Sequence, residues 1–429
     1  MKLIHLTPGT GTFHCGSCLR DNALIKAVRR AGHDALMVPL YLPLVTDDAP
    51  ASPELPVMTG GVNLFLTHKV PWLAKMLRPF RRWLDAPRLL RALADRASMT
   101  SPQQLGELTV ESFRGLHGRQ AAEWRRLMNW ILTNEKPDFL SLSNGLLNSL
   151  APASVREMGI PVICSLQGED SFIDTLPEPF RSQAWDLFRA NSEHVTLYTA
   201  ATDWYAEVMR ERLGLKPEHI AVVPNGLDLS SSTPQKSPPD PPVVGYLARQ
   251  CMGKGLHLLV DAFILLAPHH PEARLSIAGT CTMADESFIR QQQTKLEMAG
   301  LLPRVTWRRQ LSAAEKIAHF QSLTVLSVPA EYGEAFGLYV IEALACGVPV
   351  VEPDDAGLAE LVRATGGGIL YEKGNVQSLA DSLGKMLSDS GLRQRTAEAG
   401  RLSVESRYTA DAMASAFMAA AERGLTQRG

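Results

Sequence analysis

The sequence carries one local pattern twice: a short apolar strand, a glycine-bearing turn and an amphipathic helix. The first copy is KLIHLTPGTGTFHCGSCLRDNALIKAVRRAGHD, and the second is PPVVGYLARQCMGKGLHLLVDAFILLA. Other strand-like segments alternate with helical ones: FLSLSN, IPVICSL, VTLYTA, IAVVPNG, RLSIAG, RVTWR, TVLSVPA and VPVVEP. This alternation predicts an α/β fold with doubly wound parallel sheets, because parallel strands need helical crossovers between them.

The length and one proline-rich stretch predict two domains. The chain has 429 residues, which is long for a single hydrophobic core. Residues 230–242, SSSTPQKSPPDPP, hold five prolines and almost no apolar residue, as an exposed linker does. We predict a first domain at 1–235 with a helical insertion at about 62–130, a second at 236–405, and a C-terminal segment at 406–429. Open α/β sheets bind ligands beyond the carboxyl ends of their strands, so two Rossmann-like domains facing a cleft are expected.

Composition narrows the function classes. The 43 basic and 45 acidic residues give a net charge of −2, so no global charge excess points to nucleic acid. The start, MKLIHLTPGTGTF, turns glycine-rich too early for the apolar core of a signal peptide, and no run of ~18 apolar residues predicts a transmembrane helix. Four of the six cysteines, Cys164, Cys251, Cys281 and Cys346, are scattered along the chain, which fits reduced thiols in a cytoplasmic protein.

One basic segment departs from the strand–helix alternation. HKVPWLAKMLRPFRRWLDAPRLLRALADR holds eight Lys or Arg residues between positions 69 and 96, with three aromatic residues interleaved and two aspartates. Two interpretations stay open. The segment is either a surface for peripheral contact with the inner face of an anionic membrane, or a helical insertion with a solvated basic face.

The strongest chemical signal is PAEYGEAFGLYVIEALACGVPVVEPDDAGLAELV, residues 329–362. A strand runs into a loop here, and a helix is expected to begin near Gly337 and Leu338. The amides of Phe336, Gly337 and Leu338 would point out of that helix start, where the helix dipole favours an anion. Glu334 and Glu342 could then hydrogen-bond two hydroxyl-bearing parts of one extended ligand.

Several motifs resemble one family. The pattern E-x-F-G-L-x-x-x-E-A-x-A-x-G-x-P-V-V resembles the signature of retaining nucleotide-sugar glycosyltransferases with the GT-B fold, family four (glycosyl transferases group 1). VVPNGLD (222–228), VVGYLARQCMGKGLHLLVDAF (243–263) and the GTGTF loop are similar to further segments of that family. The resemblance implies transfer of a sugar, with retention, from a nucleoside-diphosphate sugar to a glycan, lipid-linked or small-molecule acceptor. It also implies that the last helix crosses back to the first domain.

The resemblance assigns the catalytic and donor-binding roles. Arg249 and Lys254 match the cationic pair on the donor diphosphate, which would stabilise the departing phosphate charge. Glu334 would bind hydroxyls of the donor sugar, and Glu342 those of the ribose. The remaining donor contacts would come from the amides of Phe336, Gly337 and Leu338, from Gly11 and Thr12 near the diphosphate, and from Trp307 and Arg308 near the base.

Family members need no divalent metal, and we expect no metal or cofactor here. The sequence has no Asp-x-Asp flanked by strands and no His/Cys cluster with zinc spacing. The resemblance implies a front-face displacement in which the leaving phosphate accepts the proton of the acceptor. No carboxylate would then act as a nucleophile.

The acceptor side departs from the family pattern. Many relatives have a His at the end of a first-domain strand, where this chain has Gln167 after PVICSL. Glutamine can hydrogen-bond a sugar but cannot titrate as histidine does. Glu169 and Asp170 either take over contacts near the sugar or form a solvated acidic turn, and His14 is a further candidate for the missing imidazole.

Other functions remain as alternatives. Cys15 and Cys18 have the spacing of a redox pair, or are small residues where a loop enters its helix. An NAD-dependent oxidoreductase is disfavoured because the first turn lacks the third glycine and no acidic residue ends LMVPLY. A GT-B epimerase or phosphorylase, and a non-catalytic nucleotide-sugar binding protein, would share the fold.

Overall fold

The computed structural model describes residues 1–9, 16–41, 50–52, 102–235 and 237–427. Several residues singled out above lie outside this part of the chain: Gly11, Thr12, His14, Cys15 and the basic segment 69–96. The chain forms two compact units. The first comprises Met1–Pro224 and Met413–Gly429, and the second comprises Asn225–Ala412. The division therefore falls after Pro224, whereas the proline-rich stretch predicts it after residue 235.

The first unit is built on a six-stranded sheet in the order β2-β1-β3-β4-β5-β6. Its strands are β1 (Lys2–Thr7), β2 (Asp34–Pro39), β3 (Phe139–Leu142), β4 (Val162–Leu166), β5 (Leu197–Ala200) and β6 (Ile220–Val222). Every neighbouring pair runs parallel. Strands β3, β4 and β5 are buried along their whole length, as expected of strands covered by helices on both faces.

The helices of the first unit follow these strands. They are α1 (Gly16–Arg30), α2 (Pro102–Phe113), α3 (Ala121–Asn134), α4 (Ala151–Ala153), α5 (Glu169–Ile173), α6 (Phe180–Ser192) and α7 (Asp203–Leu213). Short 3₁₀ turns occupy Gly115–His117 and Gly145–Leu150, and a π turn occupies Ser154–Met158. The chain returns to this unit at its end, where Phe417 packs 6.4 Å from Phe139, measured between ring centroids.

The second unit repeats the architecture with the order β12-β11-β10-β7-β8-β9, again all parallel. Its strands are β7 (Val243–Leu247), β8 (Arg274–Ala278), β9 (Val305–Arg308), β10 (Val325–Leu326), β11 (Val350–Pro353) and β12 (Gly368–Tyr371). Its helices are α8 (Leu256–Leu266), α9 (Glu286–Met298), α10 (Ala313–Gln321), α11 (Leu338–Ala345), α12 (Ala356–Thr365), α13 (Val376–Ser388) and α14 (Ser390–Arg407); α15 (Ala410–Thr426) follows.

The strand orders locate a switch point in each sheet. The chain passes from β7 through β8 to β9 on one side, and then returns to place β10 on the other side of β7. Ligands of open α/β sheets bind at such a reversal, beyond the carboxyl ends of the two strands. In the second unit a ligand is therefore expected to bind at the loops after β7 and β10.

The α/β fold class with two parallel sheets is confirmed. The segment TVLSVPA differs in detail, because only Val325–Leu326 takes part in the ladder as β10. Within the residues that the structure describes, no helix combines the length and the apolar character that crossing a membrane requires.

Candidate active site

The loop after β7 carries two cations and ends at a glycine. Arg249 lies two residues beyond the strand, and a 3₁₀ turn, Met252–Lys254, leads into α8. Gly255 has a φ of +68°, and a Cβ there would lie 1.8 Å from the carbonyl oxygen of Pro329. Only glycine allows this approach. It brings the loop after β7 against the segment that leaves β10.

Backbone contacts hold the loop after β10 on both sides. The amide of Glu331 donates to the carbonyl of Gly253 at 3.1 Å, and the amide of Gly357 donates to the carbonyl of Glu334 at 3.0 Å. A Cβ at Gly357 would lie 2.5 Å from the carbonyl oxygen of Ala335. Glu334 is therefore carried by a loop whose backbone is fixed between the β7 loop and the start of α12.

Lys254 and Glu334 form a direct ion pair at the switch point. Their side chains are only 18% and 17% exposed, and the ammonium lies 4.9 Å from the ring centroid of Tyr332. Burial alone lowers the pKa of Lys254, but Glu334 and Tyr332 together outweigh burial and leave that pKa above its ordinary value. Burial and the nearby Glu334 raise the pKa of Tyr332 to about 12. Lys254 is therefore a fixed positive charge.

Arg249 is oriented by Asp285. The guanidinium Nε donates to Asp285 Oδ2 at 3.1 Å, and Nη2 donates to Oδ2 at 3.0 Å. Asp285 also accepts from the amide and hydroxyl of Thr282 at 2.8 and 2.7 Å. The Arg249 side chain is 50% exposed while that of Asp285 is 10% exposed. Nε and Nη2 are thus engaged, whereas Nη1 has no partner among the described residues and is available to a ligand.

Helix α11 begins next to this pair. Gly337, with a φ of +93°, occupies the N-cap, and a Cβ there would lie 2.6 Å from Leu358 Cδ2. The amides of Phe336, Gly337 and Leu338 donate to no acceptor within the described residues. Phe336 is itself buried and packs 6.0 Å from Tyr408, between ring centroids. The three donors at this helix start suit an anionic or hydroxyl-bearing ligand.

Glu342 belongs to a second lysine–glutamate pair. It lies on α11, and its Oε1 is 2.6 Å from the Nζ of Lys316 on α10. Both side chains are about one-fifth exposed, at 18% and 20%. The sequence motif identifies Glu342, but nothing in the local pattern indicates that Lys316 is its partner.

The end of β9 is tied to the β7 loop by Gln250. Its amide Nε2 donates to the carbonyls of Gly279 and Arg308, both at 2.9 Å, and the residue is 1% exposed. Trp307 pairs with Ile277 of β8 in the ladder. Its indole Nε1 is buried without a hydrogen-bond partner among the described residues. The Arg308 side chain is exposed.

Glu352 is a buried acid that sequence analysis did not single out. It lies in β11 and is fully buried; Oε1 accepts from the Val328 amide at 3.2 Å, and Oε2 has no partner within the described residues. Burial raises the pKa of Glu352 well above its usual value, Glu334 raises it further, and Lys254 opposes this. Burial therefore favours the neutral, protonated form of this side chain. The sequence does contain one indication of this buried acid, because Glu352 interrupts the apolar run VPVVEP.

Gln167 and its acidic neighbours lie at the end of β4 in the first unit. Glu169 is buried, and accepts from the Gly145 amide at 2.7 Å, from the Gln167 amide at 2.9 Å, and from the Tyr205 hydroxyl at 3.0 Å. The same hydroxyl lies 3.0 Å from Asp170 Oδ1, and Asp170 is 9% exposed. The solvated acidic turn is therefore wrong, because both carboxylates are buried.

A buried polar cluster underlies the start of α1. Asp21 accepts from Arg20 at 2.8 Å, from Ser143 at 2.5 Å and from Thr7 at 3.2 Å. His5 lies 3.3 Å from the same carboxylate. Burial raises the pKa of Asp21, but His5 and Arg20 outweigh it, so that pKa lies below its usual value. An ionised Asp21 thus holds together β1, α1 and the end of β3.

The fold and the switch-point geometry define the class of protein. A sucrose-phosphate synthase from Thermosynechococcus elongatus superposes with a TM-score of 0.74 at 19% identity, covering 100% of both chains. Anabaena HepE in complex with UDP gives a TM-score of 0.68 at 17% identity, covering 98% of this chain and 100% of HepE. These likenesses, with the two six-stranded parallel sheets, establish a GT-B fold.

Sequence comparison identifies the family. Residues 93–231 match the model of Glycosyltransferase Family 4, and residues 230–403 match that of Glycosyl transferases group 1. A phosphatidyl-myo-inositol mannosyltransferase from Mycobacterium leprae (strain TN) is 32% identical over 298 residues, covering 68% of this chain and 75% of the relative. The chain belongs to glycosyltransferase family 4, and the family resemblance is confirmed.

Other relatives match over shorter stretches. A D-inositol 3-phosphate glycosyltransferase from Xylanimonas cellulosilytica is 29% identical over 235 residues, covering 51% of this chain and 55% of the relative. The chain spans about half the length of the D-inositol 3-phosphate glycosyltransferases from three species, between 45% and 55%.

Proposed function

We propose that the protein is a retaining glycosyltransferase that moves a sugar from a nucleoside-diphosphate sugar to a glycan, lipid-linked or small-molecule acceptor. The observation that carries this proposal is the buried Lys254–Glu334 pair at the switch point between β7 and β10. It places a fixed cation beside a carboxylate, next to three amides at the start of α11 that have no acceptor among the described residues. Family membership supports the same reaction.

The donor diphosphate would lie between the β7 loop and the α11 start. Lys254, the Nη1 edge of Arg249 and the amides of Phe336 to Leu338 would surround the phosphates. This field would stabilise the charge that develops on the leaving diphosphate, and it would cost no reorganisation because each group is already held in place. We therefore propose a metal-independent reaction in which these groups supply the positive charge.

Glu334 and Glu342 would form hydrogen bonds with the two sugars of the donor, the transferred sugar and the ribose. Glu334, held by Lys254, would accept hydrogen bonds from hydroxyls of the transferred sugar. Glu342, held by Lys316, would accept from the ribose hydroxyls. Trp307 and Arg308, at the edge strand β9, would contact the nucleobase, and Gly11 and Thr12 would approach the diphosphate from the first domain.

The proposed step is a front-face displacement. The bond between the sugar C1 and the diphosphate oxygen breaks, and a bond from C1 to the acceptor oxygen forms on the same face. The acceptor proton passes to the leaving phosphate oxygen. Since the diphosphate takes both the electron pair and the proton, no carboxylate of this chain needs to act as a nucleophile.

The acceptor would bind on the first domain, near Gln167, Asp170 and His14. The Glu169 carboxylate already accepts hydrogen bonds from two backbone amides and from the Tyr205 hydroxyl. Asp170 is therefore the carboxylate that we assign to an acceptor hydroxyl. A lipid-linked acceptor is favoured because the Mycobacterium leprae relative is named as a phosphatidyl-myo-inositol mannosyltransferase. We propose that the basic segment 69–96 brings this protein into peripheral contact with the membrane.

A donor screen followed by turnover tests the proposal. Thermal shifts with UDP-, GDP- and ADP-sugars identify the donor, because stabilisation grows with ligand concentration over Kd. Release of the nucleoside diphosphate is then measured with candidate acceptors for wild type, Lys254→Ala, Glu334→Ala and the control Lys295→Ala. The control removes an exposed lysine paired with Asp261. Unchanged release in the first two variants would refute the assigned roles.

A non-catalytic nucleotide-sugar binding protein is the second candidate, and Gln167 in place of the family histidine favours it. Under that function the donor screen gives a clear thermal shift with no diphosphate release for any acceptor. Restored release in Gln167→His would then locate the loss of activity at this position.

A further inference from the structure

A separate pocket of about 370 Å³ lies in the first unit. Its lining includes Glu157, which precedes β4, and Glu193 and His194, which precede β5. It therefore lies near the amino ends of these strands, whereas Gln167 follows the carboxyl end of β4. Its volume falls within the roughly 300–1,000 Å³ of small-molecule sites. No step of the proposed glycosyl transfer uses it.

The polar lining is rich in hydrogen-bond donors. Arg114, Arg125 and Arg156 all line the pocket. Arg114 pairs with Glu111 at 2.5 Å, and Arg156 Nη2 donates to His194 Nε2 at 2.9 Å. Arg125 is exposed and forms no ion pair within the described residues. Two guanidiniums thus face the pocket without a carboxylate partner in the described part of the chain.

Ser149 also lines the pocket, and its hydroxyl is buried without a partner among the described residues. Ser149 is 4% exposed, and its Oγ has no hydrogen-bond partner among the described residues. Gly115, with a φ of +54°, packs so closely that a Cβ there would lie 2.6 Å from the Ser149 carbonyl oxygen. Burying an unpaired hydroxyl is costly. A ligand oxygen that reached this shielded hydroxyl would supply the missing partner.

Buried hydrogen bonds make the pocket floor rigid. Asn191 Nδ2 donates to the carbonyl of Phe113 at 2.9 Å and to Asn148 Oδ1 at 3.3 Å. Asn148 is fully buried and donates to the carbonyl of Phe188 at 2.9 Å. The ends of α2 and α6 and the 3₁₀ turn that carries Ser149 are therefore locked together. Such preorganisation favours a specific small-molecule site.

We propose that this pocket binds a phosphate monoester or diester of a hydroxylated ring, as a free sugar phosphate or as the headgroup of a glycerophospholipid. Arg125 and Arg156 would bind the phosphate, since guanidinium geometry matches phosphate oxygens. The Ser149 hydroxyl would bond to a phosphate or ring oxygen. Glu157 and Glu193 at the rim would accept hydrogen bonds from ring hydroxyls, which a bare inorganic anion cannot offer.

Isothermal titration of the full chain tests the proposal with five probes. These are glucose 6-phosphate, glucose, inorganic phosphate, phosphatidylcholine vesicles, and phosphatidylcholine vesicles that contain phosphatidylinositol. Saturable binding of glucose 6-phosphate, tighter than that of phosphate and absent for glucose, supports a free sugar phosphate. Binding confined to phosphatidylinositol vesicles supports the lipid headgroup. Absence of binding to every phosphate-bearing probe overturns the proposal.

Matched variants assign the binding to the pocket. Arg125→Ala and Arg156→Ala should each weaken binding about tenfold, the usual effect of losing one charge-assisted contact. The control Arg126→Ala removes the next residue of α3, which pairs with Glu123 and does not line the pocket; it should bind as wild type does. Equal affinities in all three variants would place any binding elsewhere and overturn the assignment.

Ser149→Ala separates ligand binding from folding. It deletes a hydroxyl without a partner in the described residues, so resistance to urea unfolding should stay at or above that of wild type. Affinity for the phosphorylated probe should fall several-fold. Unchanged affinity would remove Ser149 from the site. The readouts need no catalytic turnover, so they stand independently of the glycosyltransferase proposal, whose donor binding Arg125→Ala should leave intact.

Discussion

Lys254 and Glu334, 80 residues apart in sequence, form an ion pair that is more than four-fifths buried. The pair links the loop after β7 to the loop after β10 at the switch point of the sheet. It also fixes the positions of the two side chains that are proposed to contact the donor. Breaking a buried pair by removing one partner is costly, because the other charge is left without compensation. The contribution of these residues to folding and their proposed role in catalysis are therefore coupled.

A double-mutant cycle exposes this coupling. Lys254→Met and Glu334→Gln should each lower the free energy of unfolding by roughly 3 kcal/mol, the range for breaking buried pairs. The double variant should lose much less than the sum, since neither charge is then stranded. Diphosphate release should fall at least about 100-fold in all three. Urea unfolding and a coupled release assay provide the measurements.

The exposed pair Lys295–Asp261 is the control for this cycle, because surface pairs contribute little. Removing either of its members should change both readouts only slightly. Additive losses of unfolding free energy at Lys254 and Glu334 would contradict a direct buried interaction.

Asp285 should act on the donor through Arg249. Asp285→Asn removes the charge that orients the guanidinium at 3.0–3.1 Å, so Arg249 should lose its fixed orientation. We expect the KM for the donor to rise several-fold with a smaller change in kcat, as steady-state kinetics would measure. The matched control is Glu286→Gln, the next residue, whose partner is Arg309. Equal kinetic changes in both variants would mean that the orientation of Arg249 is unimportant.

Local pattern and long-range pairing differ in what the sequence reveals. Strand–helix alternation predicts both sheets, and the E-x7-E motif predicts Glu334 and Glu342, because each depends on neighbours along the chain. The partners Asp285, Lys316 and Tyr332 were not predicted, since they meet their targets only through the sheet order and the glycine contacts between loops.

The same reasoning explains the acidic residues after β4. A run such as Gln167-Gly168-Glu169-Asp170 is polar and reads as exposed, yet Glu169 and Asp170 are buried. The donors that permit this are the amides of Gly145 and Gln167 and the hydroxyl of Tyr205, and the latter follows 35 residues after Asp170. Burial of a carboxylate depends on such partners, which composition does not reveal.

Glu352 should make stability fall with rising pH. Its folded-state pKa lies above the ordinary value of about 4.3. When the pH rises above about 4.3, the ordinary pKa, Glu352 loses its proton in the unfolded chain but keeps it in the folded chain. The contribution of Glu352 to the free energy of unfolding therefore falls with rising pH until the pH reaches the folded-state pKa. Glu352→Gln mimics the neutral acid and removes this loss. Its advantage over wild type should grow by about 1.4 kcal/mol per pH unit within that window.

Urea unfolding at several pH values between acid and neutral measures the effect. The control Glu272→Gln changes an exposed glutamate in the loop between α8 and β8, and its difference from wild type should stay flat. A flat difference for Glu352→Gln as well would show that Glu352 ionises freely in the folded protein.

Tyr205 should control the acceptor side through two carboxylates. Its hydroxyl lies 3.0 Å from both Glu169 Oε2 and Asp170 Oδ1, and accepts from the Gly168 amide at 2.9 Å. A hydroxyl has one proton, so it can donate to only one carboxylate at a time. Tyr205→Phe removes this donor and should lower the free energy of unfolding by about 1–3 kcal/mol. It should also raise the acceptor KM while donor binding, followed by thermal shift, stays unchanged.

Tyr198→Phe is the matched control for that prediction. It deletes another buried hydroxyl of the first unit, bonded to Ser192 and Asn148 at 2.8 and 3.3 Å, and should destabilise the fold similarly. Tyr198 forms no hydrogen bond with Glu169 or Asp170. The KM of the Tyr198→Phe variant for the acceptor should therefore equal that of the wild-type protein. If both variants raised the acceptor KM equally, general loosening of the domain would explain the effect and Tyr205 would have no specific role. A selective rise in Tyr205→Phe would instead place the acceptor beside Asp170.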